Sequence, residues 1–382
     1  MKALSSLLLV SLGIGVAAPA AARPPVRVAA WPGVSDVLLN VRVPAMTAAW
    51  LNDSEEPGSV IVFPKFRTGS EVTGGVPRTR FAISVVCPGT DQANLDYCAL
   101  NPTVTLKAHW VCPGGDGNVC AEADFHLTAT INGTVTFGTE GGLSSSNDQL
   151  AFPPCNRGYL IAWVVKDAIS DQPIKFDGLI GHSLHNGQNG DWTYLGVPIQ
   201  AGDGIINTGD PTADDVGGAL AFDGSHYRAL TGTVFGAVRY QQNELEPLKP
   251  NSPLVPTATN RTDLIFLTLD VLSNRPNEPT YVDLQFYNEK EDLLSGSASF
   301  ICWRDVENIE DIQEELDSDF GLAGLVTGTA SKLDGSSRTL IALVETDETA
   351  ALEVSVRKYA YTLFNNSVPV STTFYPSGVP AP

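Results

Sequence analysis

The chain has 382 residues, 43 of them acidic against 23 basic, for a formal charge of −20. A surface of that sign repels phosphate backbones and anionic lipid headgroups, so neither nucleic acid nor direct membrane insertion is expected. Thirty-five glycines and 26 prolines, set among alternating runs of Val, Thr, Ile and Phe, leave little room for long helices. The chain reads as mainly β.

Residues 1–22 carry the three parts of a secretory signal peptide. Lys2 gives the positive start, Ala3–Val16 is a mostly apolar run, and Ala20, Ala21 and Ala22 supply small residues for cleavage. No cysteine follows that site before Cys87, and the segment STTFYPSGVPAP has no hydrophobic tail. The expectation is a secreted or periplasmic protein, soluble after cleavage. Residues 23–55 then form an extended lead-in around the strand Val37–Val43.

The first domain is expected over 56–240. Its strands are SVIVFPKF, TRFAISVVC, TVTLKAHWVC, ADFHLTATI, GTVTFG, GYLIAWVVK and ALTGTVFGAVRY, parted by Gly/Pro/Asp turns. Gly187–Gly224, rich in Gly, Asp and Asn, reads as a long loop. Residues 241–257, QQNELEPLKPNSPLVPT, hold four prolines, which cannot donate to a ladder and stiffen extended chain. They read as a linker. The second domain, 258–382, continues with LIFLTLDVL, TYVDLQFYN, SASFICW, LAGLVTGTA, RTLIALVET, VSVRKYAYTLF and VPVSTTF. Its one helix is expected at Val306–Leu316, where Ile309, Ile312 and Leu316 recur at helical spacing. The fold class is therefore two β-sandwiches in tandem, immunoglobulin-like or jelly-roll-like, with one short helix.

PGSVIVFPKF, RTRFAISVVC, GYLIAWVVKDAISDQPIKFDGLIG and VDLQFYNEKEDLLSGSASFICW together resemble a family of uncharacterised exported bacterial proteins. The resemblance implies bacterial export and a β-rich fold, and implies no activity.

Six cysteines in an exported chain argue for disulfides. Pairing nearest neighbours across polar turns gives Cys87–Cys98 and Cys112–Cys120. Cys155 and Cys302 then either bridge the domains or stay as buried thiols. His109 is no metal partner for Cys112, because on a strand it points to the opposite face.

Two clusters suit a divalent cation. Asp203, Asp210, Asp214 and Asp215 sit in a Gly-rich stretch whose hard oxygens suit calcium, the one cofactor considered, although the spacing matches no EF-hand. Glu122, Asp124 and His126 share one strand face, but side chains two apart stand about 6.6 Å apart at the backbone, so two of the three reach one ion. For each cluster a solvated acidic surface is the favoured reading.

Nucleophile elbow, H-E-x-x-H, P-loop and dinucleotide fingerprints are all missing from the sequence. The expected function is a non-enzymatic binding or extracellular structural role toward a protein or glycan of the cell envelope. The competing class is a secreted carbohydrate hydrolase using loop carboxylates after Gly181. It would need a groove lined by Trp192, Tyr194 or Tyr227 with two acids across it.

Overall fold

The computed structural model describes residues 56–68, 78–88, 92–114, 120–187, 190–201, 220, 222, 227–228, 230, 233–238, 243–244, 258–269, 278–287, 293–306, 324–331, 340–350, 356–362 and 364–365. The elements begin with β1 Val60–Arg67, β2 Arg78–Val85, α1 Gln92–Leu100, β3 Thr103–Val111, β4 Glu122–Thr130, β5 Gly133–Gly138, β6 Gly142–Leu143 and β7 Gln149–Leu150. There follow β8 Arg157–Val165, β9 Leu179–Gly187, β10 Gly190–Leu195, β11 Val197–Ile199, β12 Thr233–Val238 and β13 Asn243–Glu244. The rest are β14 Ala258–Leu267, β15 Thr280–Tyr287, β16 Leu293–Phe300, β17 Trp303–Val306, β18 Gly324–Ser331, β19 Ile341–Ala350, β20 Val356–Thr362 and β21 Phe364–Asn365. The fold is mostly β, as the alternation predicts.

Four antiparallel sheets hold nearly all of these strands. Their orders are β11-β1-β8-β3-β4, β10-β9-β2-β5, β16-β15-β18-β12-β21 and β13-β14-β19-β20, with β17 added to β14. The first two sheets meet through aromatic side chains. Trp110 of β3 lies 5.1 Å from Phe66, 5.6 Å from Phe81 and 5.3 Å from Phe125, ring centre to ring centre. Its indole N–H donates to the Ala151 carbonyl at 2.8 Å, so the ring is buried without an orphaned donor.

The fourth sheet is internal. On β14, Phe266 stacks on Phe300 of the third sheet at 6.2 Å, while Ile265 and Leu267, on the other face, join the core cluster that holds Val60, Val62 and Tyr159 of the first. A strand buried on both faces cannot alternate, which is why DLIFL is apolar without a break after Asp263.

Two expectations about organisation change. Thr233–Val238, read as part of a first domain, pairs with β18 and β21 from beyond the expected linker. The partition at 241–257 is thus crossed by a sheet, and all described residues fall in one compact unit. Asn243 and Glu244 of that linker form a strand on β14, and 245–257 lie outside the described residues. The stretch read as a long loop contains β10 and β11. The expected helix Val306–Leu316 lies outside the described residues except Val306, which ends β17. A helix that periodicity does not predict, α1, begins in the loop after Cys87 and carries Cys98 within it. No helix among the described residues is long and apolar enough to cross a membrane.

All six cysteines are paired. Cys87 joins Cys98, as expected from spacing. The expected Cys112–Cys120 bridge is replaced by Cys112–Cys155 and Cys120–Cys302. The reason is lateral. Cys112 follows β3 and Cys155 precedes β8, and β3 and β8 are neighbours, with Val111 opposite Tyr159. The turn after β3 also docks on the segment before β17, with the Gly114 N–H donating to the Ile301 carbonyl at 3.2 Å. Cys120 thereby faces Cys302, which holds a left-handed φ of 63° that non-glycine residues seldom adopt. The bridge joins residues 182 apart.

At Pro64 the β1–β8 register shifts between Phe63 and Phe66, because proline cannot donate to the ladder. The backbone of Lys65, freed by this bulge, is taken over by a tyrosine. Its N–H donates to the Tyr194 hydroxyl at 2.8 Å, and that hydroxyl donates to the Lys65 carbonyl. The Lys65 side chain, fully buried, reaches the fourth sheet, where its Nζ lies 2.9 Å from Asp305 Oδ2 and 2.5 Å from Glu345 Oε2.

Candidate functional site

The outer face of β3 and β4 gathers the polar side chains that alternation predicts there. Antiparallel register sets Lys107 opposite His126, His109 opposite Asp124 and Val111 opposite Glu122. The facing apolar positions Leu106, Ala108, Trp110, Phe125 and Leu127 are buried, so the row cannot turn inward.

A turn from elsewhere completes the face. After β8, Asp167 accepts the N–H groups of Ile169 and Ser170 at 2.8 Å each, and its carbonyl accepts the Asp171 N–H at 3.2 Å. These bonds hold Asp167 well below the usual carboxylate range. Asp171, in the left-handed region at φ 53°, one of the few side chains that tolerate it, is thereby pointed across the sheet.

The Asp171 carboxylate takes two partners, Lys107 Nζ at 2.5 Å and His126 Nε2 at 2.5 Å. Lys107 also reaches Asp124 at 3.4 Å, and His109 Nδ1 meets Glu122 at 3.2 Å. Partial burial opposes the charge on Lys107, but its bonds to Asp171 and Asp124 outweigh that and hold its pKa above the ordinary lysine value. Partial burial likewise raises Asp171 and Asp124, and the same partners override it, leaving both carboxyls below their usual range.

The row opens onto a groove of about 550 Å³, lined among others by Asp124, His126, Asp148, Gln149 and Ala151. Asp148 is fixed there by the Thr128 N–H and the Ser144 hydroxyl, each at 2.8 Å. His109 and Trp163 lie ring to ring at 4.8 Å.

The predicted clusters fare differently. Glu122, Asp124 and His126 do lie on one face, yet each is engaged by a different neighbour, and they do not converge on one point. No group of three His, Cys, Asp or Glu among the described residues could hold a metal ion. Asp203, Asp210, Asp214 and Asp215 lie outside the described residues. The groove expected along Tyr194 and Tyr227 is not formed by them: both rings are buried, and burial pushes both phenols well above their usual pKa. The backbone of Trp192 is in β10, while its side chain lies outside the described residues. His185 is a core residue of β9. It lies within hydrogen-bond distance of the Thr79 hydroxyl at 3.2 Å and stacks on Tyr194 at 5.0 Å.

No family model and no curated protein matches the chain. Among solved structures it is matched to the viral chemokine binding protein R17 encoded by rodent gammaherpesvirus Peru, at 8% identity over 78% of this chain and 84% of that chain. The TM-score is 0.15, and so low a likeness carries no argument about fold or function.

Proposed function

We propose that this chain is an exported, non-enzymatic binding protein whose β3–β4 face meets a protein or glycan of the cell envelope. The observation that carries the reading is the Lys107–Asp171–His126 arrangement beside the groove. Its charged groups hold one another in place on a rigid sheet before any ligand arrives, so binding costs little side-chain freedom. Three disulfides fit an oxidising compartment, where a binding protein of the envelope would work.

A second reading rests on Asp124 and Asp148, which line the same groove. Two carboxylates beside a cleft are what a secreted carbohydrate hydrolase needs. One experiment separates the two. The purified chain is titrated with envelope fractions and wall or capsule glycans, in parallel with a His126→Ala/Asp171→Ala variant of matched folded content. Saturable binding that falls at least tenfold in the variant, without turnover, supports the binding face. Release of reducing sugar ends, abolished by Asp124→Asn or Asp148→Asn, replaces it with the hydrolase.

A further inference from the structure

The Lys65 amine is poised against two carboxylates in a dry interior. Its side chain is 0% exposed, and those of Asp305 and Glu345 are 1% exposed. Tyr194 and Trp303, both buried, hold the backbone on either side of it: Tyr194 binds Lys65 itself, and the Trp303 indole donates to the Pro64 carbonyl at 2.8 Å. Arg67 and Asp263 complete the local charges. The two carboxylates are not equivalent. Glu345 accepts a hydrogen bond from Nζ at 2.5 Å. Asp305 lies at 2.9 Å without hydrogen-bond geometry, and neither of its buried oxygens accepts a hydrogen bond among the described residues. A buried carboxylate left in that state is costly, and so is the ammonium beside it.

We propose that Lys65 and Asp305 form an intramolecular amide, with Glu345 as the proton shuttle. Burial disfavours the charge on Lys65, but Glu345 and Asp305 outweigh it and hold the amine protonated, so the step starts from the ammonium–carboxylate pair. Glu345 takes one proton from Nζ and hands it to an Asp305 oxygen, and the neutral amine attacks Cγ of the resulting acid. The Nζ–Cγ bond forms. Glu345 relays a second proton from the nitrogen to the same oxygen, and the Cγ–O bond breaks as that oxygen leaves as water. The amide keeps one of the three ammonium protons, the water carries two, and Glu345 ends as it began. No oxidant or cofactor enters. The Lys65 ammonium and the Asp305 carboxylate, two buried charges, are removed together, and the reacting groups are held in contact by β1, β17 and β19.

The test uses the full chain, expressed for export, folded, then reduced, alkylated and weighed, with its N-terminus determined. The expected mass falls short of the sequence by one water, and digestion yields one branched peptide joining Lys65 to Asp305. Glu345→Gln, with an unchanged near-ultraviolet dichroism spectrum, is expected to restore the full mass and release the two peptides separately. Separate, unmodified Lys65 and Asp305 peptides from the folded wild type would overturn the proposal, whether or not any variant folds. A branch mapped to Glu345 instead would overturn the assignment of partners, and a branch persisting in Glu345→Gln would overturn the role of that carboxylate.

Discussion

The indole N–H of Trp303 donates to the carbonyl of Pro64 at 2.8 Å, joining positions 239 residues apart inside the core. Pro64 is where the β1–β8 register shifts, so its carbonyl depends on this donor. Trp303→Phe removes the donor and leaves a small void. The expected cost is about 1–3 kcal/mol for the unpaired carbonyl, with a cavity contribution added. Chemical denaturation should show a lower midpoint at unchanged slope. An unchanged midpoint would mean that the bond contributes nothing.

The long bridge should matter more than the short one. In the loop-entropy account, closing 182 residues through Cys120–Cys302 contributes about 5 kcal/mol, against about 3 kcal/mol for the 11 residues closed by Cys87–Cys98. Thermal unfolding of the Cys120→Ser/Cys302→Ser and Cys87→Ser/Cys98→Ser variants gives the comparison. Equal losses would show that chain entropy is not the governing factor.

Gly158 of β8 packs so closely on β3 that a Cβ there would stand 2.0 Å from the Val111 carbonyl oxygen. Backbone on both sides cannot yield without breaking ladder bonds. Gly158→Ala should therefore destabilise by more than the roughly 1 kcal/mol typical of a point substitution. A variant melting within a degree of wild type would contradict that spacing.

Asp171 and Asp124 have folded pKa values below their unfolded ones. Their contribution is present above the unfolded carboxylate value of about 3.9 and is lost as the pH falls through the lower folded values. Lys107, raised, contributes below the unfolded lysine value of about 10.4 and loses it as pH rises through its folded value. Asp171 is partly exposed, so the effect is screened to about 0.5–1 kcal/mol. Asp171→Asn, which keeps a residue tolerant of positive φ, should melt lower at pH 7 and lose less on acidification to pH 3. Parallel pH curves for the two proteins would rule out the pairing.

The strands of this fold were open to reading from alternation, and β3 and β4 show why: LKAHWV and ADFHLT sort themselves onto two faces without any tertiary information. The row Glu122, Asp124 and His126 followed from the same rule. Asp171 did not, because a turn 45 residues downstream of His126 brings it in. Lys65 was hidden for a related reason. A single lysine in VIVFPKF looks like one that extends to water, and nothing local shows that Asp305 and Glu345 wait on another sheet. Cys112 and Cys120 pair with distant cysteines because lateral strand order, which is not written in local sequence, outweighs proximity along the chain. The helix α1 has Leu95 and Leu100 exposed and no apolar stripe, so periodicity carried no signal for it.

The pairing of Cys120 with Cys302 also sets a timetable for folding. A chain made from its N-terminus presents Cys112 and Cys120 to each other well before Cys155 exists, and long before Cys302 does. The first sheet meanwhile lacks β14 and β19, the strands that cover β1, so its apolar surface stays open. The nearest-neighbour bridge is therefore the species an oxidant would make first, and reaching the native pattern requires its exchange through a mixed disulfide. Maturation should be slow when unassisted, and a thiol–disulfide isomerase, more than an oxidant, should set the yield of native protein.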